Sequence, residues 1–457
     1  MEKRTVSVLD MGVVAGQGEN FLQTVGFQKA IDEMFLAGGG TVIVPKGIYY
    51  IGGVRLRSNV TLYLCAGAEI YGSRDPEDYN ILAEEILEPV PAEWCTDKLY
   101  EPPRRSVERD YSFMLPTGRW NNAMFRAIGA ENVAIVGEEG ARIDGRDCYD
   151  EVGEEKYRGP HGISMHYCKN IYLSGYIASN TGNWAHCIWY SENIRCENVK
   201  VYAGHDGIHL TRCSNIAVEN CEFYTGDDCV AGFGNLNVLV QDCVLNTACS
   251  GLRFGGTNAI IRNCKFYGPA KHFFRGSLTT EEKKNGAQPN AAHHRTNMLS
   301  MFTYYADFSV EIPEQPDNIV IENCTVENAD RFLHFNYSGN EIWQNNRPLK
   351  TLRLENISAT GIVNPVTAYG SKDVPFDLRM KNVSLEFAKG FESLPAFWIA
   401  NCERVCLENM TVKNRSDAPL IKTWTKDPDV VLHNVSHDCH AEQTVVFTEE
   451  TFVCKAI

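Results

Sequence analysis

The stretch AGHDGIHLTRCSNIAVENCEFYTGDDCVAGFGNLNVLVQDCVLNTACSGLRFGG, residues 203–256, decides the fold because it contains copies of a repeated phrase. Each copy begins with Asn, an apolar residue, any residue and a second apolar residue. The copies start at Asn170, Asn193, Asn215, Asn237 and Asn258. Their starts differ by 23, 22, 22 and 21 residues (193−170, 215−193, 237−215, 258−237). A constant period of this length is typical of a solenoid, and the short alternating runs predict strands, so we expect a parallel β-helix.

Stacking turns equivalent positions of successive copies into neighbours about 4.8 Å apart. The last four copies also have a second Asn or Asp, at Asn198, Asn220, Asp242 and Asn263. Counting eight residues past it predicts one column, made of Asp206, Asp228, Ser250 and Lys271, to which the preceding coil adds Asn183. The column one residue earlier contains Gly182, His205, Asp227, Cys249 and Ala270. The column three residues later contains His186, His209, Ala231, Arg253 and Phe274. We therefore expect acidic, imidazole and basic side chains to converge on one patch of wall.

Three aspartates in this patch, Asp206, Asp227 and Asp228, indicate acid/base chemistry. Like charges one strand spacing apart repel, so one carboxyl group keeps its proton at neutral pH. Hydrolysis of a glycosidic bond needs such an acid for the leaving oxygen and a base for the attacking water. The alternative is that Asn and Asp only satisfy turn backbones. That alternative is better for a single Asp, whereas the doublet beside His and Arg favours a catalytic site.

At these residues the chain resembles glycoside hydrolase family 28, the polygalacturonases and their relatives. Gly204-His205-Asp206-Gly207 is similar to the family's Asn-Thr-Asp-Gly motif, and its Gly-Asp-Asp motif is present as Gly226-Asp227-Asp228. The resemblance implies a right-handed parallel β-helix and inverting hydrolysis. Asp227 is then the general acid, and Asp206 with Asp228 hold and deprotonate the water.

Two departures from the family pattern concern the substrate side of the patch. Cys249-Ser250-Gly251 stands where the family has Gly-His-Gly, and no clear Arg-x-Lys motif follows. We expect basic residues of this chain to fill the vacated space. The predicted substrate-binding set is Asn183, Trp184, His186, His205, His209, Ser250, Arg253, Lys271, His272 and Arg275.

The rest of the chain predicts one continuous domain over residues 1–457, with an N-terminal cap in residues 1–40. Apolar residues at helical spacing in residues 25–37, followed by three glycines, predict a helix over the first coil. Residues 81–122 and 271–307 break the repeat and are predicted to be loop insertions near the cleft. The His293-His294 pair has no Cys or carboxylate at ligand spacing, so we predict no metal and no cofactor.

Composition excludes several classes of partner. The chain has 43 basic and 58 acidic residues and a net charge of −15, which argues against nucleic-acid binding. No run of about 18 apolar residues is present, so no membrane span is predicted. The opening MEKRTVSVLD has no apolar signal-peptide core, and we expect a cytoplasmic protein whose 17 cysteines form few or no disulfides. The sequence leaves a homo-oligomer open.

The predicted function is hydrolysis of an O-glycosidic bond in an oligosaccharide. The basic residues keep a uronic-acid-containing, pectin-derived substrate in consideration, although they would equally neutralise the aspartates. One alternative is a β-helix enzyme of the fructotransferase kind, or another enzyme that transfers glycosyl groups without water. A second alternative is a non-catalytic carbohydrate-binding solenoid, suggested by the missing histidine.

Overall fold

The computed structural model describes residues 4–80, 118–275, 285, 296–306, 314–336, 347–439 and 444–449. These residues fall into two compact units. The first unit is built from residues 1–227 and 272–295, and the second from residues 228–271 and 296–457. Much of both predicted insertions, including His293 and His294, lies outside the described residues.

Within its described residues, the first unit contains one α-helix and eighteen strands. Helix α1 is Thr24–Leu36. The strands are β1 (Thr5–Ser7), β2 (Gly40–Val44), β3 (Gly47–Ile51), β4 (Val54–Arg55), β5 (Val60–Leu64), β6 (Ala68–Gly72), β7 (Ala123–Ile128), β8 (Glu131–Gly137), β9 (Arg142–Asp144), β10 (His161–His166), β11 (Lys169–Ser174), β12 (Ile177–Ser179), β13 (His186–Trp189), β14 (Glu192–Glu197), β15 (Lys200–Ala203), β16 (Ile208–Thr211), β17 (Ser214–Glu219) and β18 (Glu222–Thr225). Short 3-10 helices span Val8–Met11, Pro76–Tyr79, Arg119–Asn121 and Glu154–Lys156.

These strands form three parallel stacks, which are the faces of a β-helix. One stack runs through β2, β5, β8, β11, β14 and β17. The second runs through β3, β6, β9, β12, β15 and β18. The third runs through β4, β7, β10, β13 and β16. Each full coil therefore contributes one strand to each face, as the repeat predicts.

The asparagines of the repeated phrase turn the chain at each coil. Asn193 and Asn215 have φ angles of 57° and 55°, in the left-handed region that Asn tolerates better than most residues. Their side chains also form a ladder, because Asn193 Nδ2 donates to Asn170 Oδ1 at 2.9 Å and Asn215 Nδ2 donates to Asn193 Oδ1 at 3.0 Å. The phrase is thus repeated because each coil needs the same turn and the same stacked amide.

The apolar positions of the phrase form the dry interior of the coils. Ile171, Ile194 and Ile216 pair in register on successive strands, and all are buried. Each such side chain contributes about 1.5–3 kcal/mol by leaving water. Cysteines occupy further interior positions, and the fifteen cysteines within the described residues are free thiols. The interior therefore fixes the coil register on which the wall positions depend.

Helix α1 covers the first coil, as predicted, and begins and ends one residue earlier than expected. Gly38 ends it with a φ of 87°, and Gly39 N–H donates to Met34 O at 2.8 Å. The buried ring of Phe27 meets the ring of Tyr49 edge to face at 5.8 Å. The helix thereby buries the apolar end of the stack.

In the part of the second unit that the structure describes, sixteen strands are arranged in the same parallel manner. They are β19 (Val230–Gln241), β20 (Val244–Thr247), β21 (Ser250–Arg262), β22 (Lys265–Tyr267), β23 (Met298–Tyr304), β24 (Asp317–Glu322), β25 (Thr325–Glu327), β26 (Ala329–Asn336), β27 (Thr351–Ile362), β28 (Val366–Tyr369), β29 (Phe376–Phe387), β30 (Phe397–Ala400), β31 (Cys402–Lys413), β32 (Ile421–Thr423), β33 (Asp429–His437) and β34 (Val445–Phe447). Strands β19 and β21 are long because they continue from one face of the coil to the next.

The predicted fold class, all-β and a right-handed parallel β-helix with a short N-terminal helix, is confirmed. The prediction of one continuous domain stays a prediction. Within the described part of the chain, no helix combines the length and apolar composition that a membrane crossing needs.

Candidate active site

In the first unit, the turn that carries Asp206 connects β15 to β16. The pairing of β15 with β18 places Ala203 opposite Thr225, and Gly226 N–H extends the ladder by donating to Ala203 O at 2.8 Å. Two residues further on, the same offset of 22 residues relates His205 to Asp227 (225−203, 227−205). The turn of one coil and the start of the same turn on the next coil therefore form adjacent layers of the wall.

The carboxylate of Asp206 is held by His209. Nδ1 of His209 lies 2.8 Å from Oδ2 of Asp206, and both side chains are buried. Because a carboxylate accepts hydrogen bonds, Nδ1 carries the proton and donates it. This contact fixes the direction of the carboxylate.

The ring of His209 stacks on the indole of Trp184. The ring centroids are 3.8 Å apart and the planes differ by 5°. Trp184 also meets Trp120 edge to face at 5.1 Å, and Trp120 Nε1 donates to Glu154 Oε2 at 2.8 Å. Trp184 is therefore a buried support for the His209 ring. Its predicted contact with a sugar remains a prediction.

Asp227 is paired with an arginine that the repeat did not identify. Nη2 of Arg158 lies 3.7 Å from Oδ2 of Asp227, and Nη1 of Arg158 donates to Asn183 Oδ1 at 3.2 Å. The backbone around both partners is fixed by similar contacts: Thr225 Oγ1 donates to Asp227 O, and Thr181 Oγ1 donates to Asn183 O, each at 2.6 Å. One guanidinium thus joins the predicted acid to the predicted binding residue Asn183.

His205 and His186 are both fully buried. His205 lies beside Tyr157, with ring centroids 5.8 Å apart. His186 donates from Nδ1 to Gly207 O at 2.8 Å, and its Nε2 lies 2.9 Å from the hydroxyl of Tyr176. Burial lowers the pKa of His186, so the ring is neutral. It supports the backbone of the Asp206 turn from inside the coil.

The predicted alignment of His186 with His209 is wrong by one residue. His186 pairs with Ile208, and Cys187 pairs with His209. The reason is that the coil offset falls from 23 residues at Ile177↔Lys200 to 22 residues at His186↔Ile208 (200−177, 208−186). The connection before β13 contains one residue more than the connection before β16. The extra residue turns His186 into the interior.

Residues 272–275 cross the glycines of both sequence motifs. Arg275 N–H donates to Gly204 O at 3.1 Å, and a Cβ on Gly204 would lie 2.9 Å from Cβ of Arg275. A Cβ on Gly226 would overlap the carbonyl oxygen of Phe273. Both motif glycines are therefore required by the close approach of this segment.

The side chain of Arg275 is used inside the first unit. Its Nη1 lies 2.6 Å from Asp147 Oδ1, and its Nη2 donates to Asp147 O at 2.9 Å. Burial raises the pKa of Asp147, and the charge of Arg275 opposes that rise. Burial also lowers the pKa of His272, whose ring lies 6.1 Å from that of Tyr202. The structure thus gives Arg275 a carboxylate partner, which is a simpler role than the predicted substrate contact.

We expect Gly226→Ala to destabilise the protein by about 1–3 kcal/mol and to reduce turnover, because the added methyl group must displace residues 272–275 from the Asp227 turn. Thermal unfolding and activity assays measure both effects. Gly18→Ala is the control, since a Cβ there meets no atom within 4 Å. Equal melting temperatures for the two variants would contradict the packing explanation.

In the second unit, Asp228 is bound by the strand that replaces the family's histidine motif. Asp228 is buried, and its Oδ1 accepts a hydrogen bond from Ser250 N–H at 2.9 Å. Nη1 of Arg253 lies 3.6 Å from Asp228 Oδ2, and the guanidinium is 4.1 Å from the centroid of the Tyr305 ring. Ser250 therefore contributes a backbone donor, and Arg253 contributes the positive charge.

The predicted columns fail beyond Ser250. Ser300 pairs with Ser250, and Thr303 pairs with Arg253, so Lys271 and Phe274 do not occupy those places. The chain leaves the coil after β22, and the strand of the next coil starts only at Met298. Lys271 instead donates its backbone N–H to Asn246 Oδ1 at 2.7 Å.

The returning strand adds hydroxyl groups that sequence counting missed. Ser300 Oγ lies 2.6 Å from Thr303 Oγ1, and Ser250 Oγ lies 3.3 Å from the same atom.

Arg158 was missed for a similar reason, because it lies outside the repeat between β9 and β10. The sequence shows only that Arg158 follows Glu154 and Glu155 and precedes Pro160-His161-Gly162. This pattern does not indicate which coil of the stack the arginine reaches.

Comparisons with known proteins agree with these motifs. The model of the glycosyl hydrolases family 28 matches residues 108–254, a region that includes all three aspartates. Over these residues the chain is similar to family 28. A probable polygalacturonase from Vitis vinifera is 28% identical over 223 residues, which cover 46% of this chain and 40% of that protein. The alignment thus spans less than half of the length of that protein.

Solved structures support the same fold. A hyperthermoactive exopolygalacturonase from Thermotoga maritima matches with a TM-score of 0.56 at 17% identity, covering 94% of this chain and 92% of that chain. A family 28 exopolygalacturonase from Yersinia enterocolitica matches with a TM-score of 0.55 at 15% identity, covering 98% of this chain and 77% of that chain. The predicted resemblance to family 28 is confirmed, and the comparisons support the predicted enzyme class, a glycoside hydrolase.

Proposed function

We propose that the protein hydrolyses an O-glycosidic bond in an oligosaccharide by acid/base catalysis. The observation that carries this proposal is the family 28 match over residues 108–254, within which the Asp206 and Asp227 turns occupy adjacent coils. Structural aspartates in a solenoid need only turn contacts, whereas Asp206 has a buried histidine partner and Asp227 a buried arginine partner. Charged side chains held in this way are typical of catalytic sites.

In the proposed reaction, Asp227 donates its proton to the glycosidic oxygen as the bond from that oxygen to the anomeric carbon breaks. A water molecule attacks the anomeric carbon from the opposite side, and Asp206 accepts the proton that the water loses. The products are two sugars with inverted configuration at the new reducing end. Asp227 then regains a proton from solvent for the next cycle.

The proposed substrate class is a pectin-derived oligosaccharide that contains uronic acid. The relatives are named as polygalacturonases, and Arg253 supplies a cation whose side chain is 28% exposed. A carboxylate of the sugar is the natural partner for such a guanidinium. Contacts from the rest of the predicted binding set belong to this proposal. Small imported substrates, and with them a cytoplasmic location, are also part of it.

The test is an assay of the purified protein against defined oligosaccharides, both neutral and uronic, in heavy-oxygen water. We expect a uronic oligosaccharide to be cleaved, the heavy oxygen to appear at the new reducing end, and NMR to show the inverted anomer first. A product without the label would support transfer or cyclisation of the fructotransferase kind. Binding without turnover of any substrate would support a carbohydrate-binding solenoid.

A further inference from the structure

We propose that Arg158 is a positioning residue that aims the carboxyl group of Asp227 and sets the highest pH at which the enzyme works. This inference rests on the proposed function, in which Asp227 is the acid. Arg158 belongs to the segment between β9 and β10, so a loop outside the repeat controls a residue on the wall.

The guanidinium of Arg158 is placed for this role by four contacts. Its side chain is 8% exposed, and it reaches Asp227 Oδ2 at 3.7 Å and Asn183 Oδ1 at 3.2 Å. On the other side, its Nε lies 3.0 Å from Glu155 Oε2 and 3.9 Å from Glu154 Oε2. The guanidinium of Arg158 therefore links Asp227 and Asn183 on the wall to Glu154 and Glu155 in the segment between β9 and β10. A guanidinium suits this geometry because its N–H groups point in fixed directions.

The partners of Arg158 differ in exposure. The side chain of Glu155 is 51% exposed, whereas that of Asp227 is 14% exposed. Charges that are shielded from water interact more strongly than exposed ones. The distance to Asp227 is the longer of the two, but that pair is the less screened. Water therefore screens the attraction between Arg158 and Asp227 less than the attraction between Arg158 and Glu155.

Several other titratable groups lie near Arg158 and Asp227. Burial opposes the charge of Arg158, but Glu154, Tyr157, Glu155 and Asp227 together outweigh it and raise the pKa of the guanidinium. Burial lowers the pKa of His161 to about 3, and Arg158 adds to that effect, so His161 is neutral. The buried ring of His205 lies beside Tyr157, and Asp228 follows Asp227 in the chain. Arg158 is therefore charged throughout the working range.

The sign of the effect on activity follows from the acid role. An acid must carry its proton to act, so activity falls as pH rises through its ionisation. A neighbouring cation favours the ionised carboxylate and moves this basic limb of the pH profile to lower pH. Arg158→Gln is expected to move the basic limb upward by about one pH unit. Arg158→Lys keeps the charge and is expected to keep the limb near its original pH, with a lower kcat from the lost fork geometry.

A surface variant tests the same idea in the opposite direction. Glu155→Gln removes a carboxylate that competes for Arg158, so the basic limb is expected to move downward, by less than about half a unit because Glu155 is half exposed. Glu155 lies on the surface, so this variant tests the inference even where Arg158→Gln does not fold. The control is Arg57→Gln, which removes a buried arginine paired with Asp32 at 3.0 Å in the same unit.

The experiment measures kcat and kcat/KM from pH 4 to 10 for the wild-type protein and these four variants, with melting temperatures (about six pH points on each limb are needed to place it). Opposite shifts in the Arg158→Gln and Glu155→Gln proteins support the inference. Loss of kcat with unmoved limbs would show a merely structural role and overturn it. Asp227→Asn, assayed alongside, separates the two proposals: if that variant keeps turnover, the proposed acid is wrong, whatever the limbs do.

Discussion

Replacing Asp227 by Asn is expected to reduce turnover by about 10²–10⁴-fold, because the amide cannot donate a proton to the leaving oxygen. Asn has nearly the same shape, and Thr225 Oγ1 donates to the backbone carbonyl of residue 227, which the substitution leaves in place, so the turn should be retained. The measurement is kcat and kcat/KM on the best oligosaccharide, with the melting temperature as a check on folding. A loss in both kinetic constants indicates an interaction made in the transition state.

Asp32→Asn is the matched control for this change. Asp32 lies on helix α1 and pairs with Arg57, away from the Asp206 and Asp227 turns. We expect that variant to keep its activity and to lose some stability. Turnover within tenfold of wild type in the Asp227→Asn protein would remove Asp227 from the acid role and reopen the choice between the other aspartates.

The second large effect is expected at His209. His209→Phe keeps a ring that stacks on Trp184 but removes the donor to Asp206. A hydrogen bond to a charged group contributes about 1.5–3 kcal/mol, so we expect turnover to fall about a hundredfold. Stability should fall as well, because the carboxylate of Asp206 stays buried with one donor fewer.

His209→Asn provides the complementary variant. Its amide nitrogen reaches about as far as Nδ1 of the imidazole, so the donor is kept while the stacking ring is lost. We expect its turnover to be about tenfold or more above that of His209→Phe. The reverse order, with the aromatic variant more active, would show that stacking on Trp184 is the important contact and that the hydrogen bond to Asp206 is not.

The coil period was predictable because it is a local requirement repeated many times. Each coil needs an Asn in the left-handed conformation and an apolar strand, so the pattern is present in every copy of the phrase. The same counting gave the 22-residue offset at which β15 pairs with β18. These predictions succeeded wherever the coil length was constant.

Two failures of counting have the same physical origin. The connection before His186 has one residue more than its counterpart, and that residue reverses the side of the wall on which the histidine lies. After Tyr267 the chain makes a long excursion, and Ser300 takes the place predicted for Lys271. A solenoid tolerates such insertions between strands, and the repeat gives no warning of them.

Arg158 and Arg275 show a third limit of sequence reasoning. Both are arginines outside the repeat, and no rule of spacing decides which carboxylate each one meets. The structure gives Asp147 to Arg275 and Asp227 to Arg158. The predicted binding set contained Arg275 but not Arg158, because the segment of Arg275 starts at the counted position Lys271. The contact partners of residues in loops outside the repeat are therefore not predictable from the repeat spacing.

The most direct test of the proposed catalysis is the structure of the Asp227→Asn protein with an uncleaved uronic oligosaccharide. We expect the glycosidic oxygen to lie within hydrogen-bond distance of the side chain of residue 227. We also expect a water on the opposite side of the anomeric carbon to contact the carboxylate of Asp206. A sugar bound elsewhere, with the Asp206 and Asp227 turns free of it, would contradict the proposed catalysis.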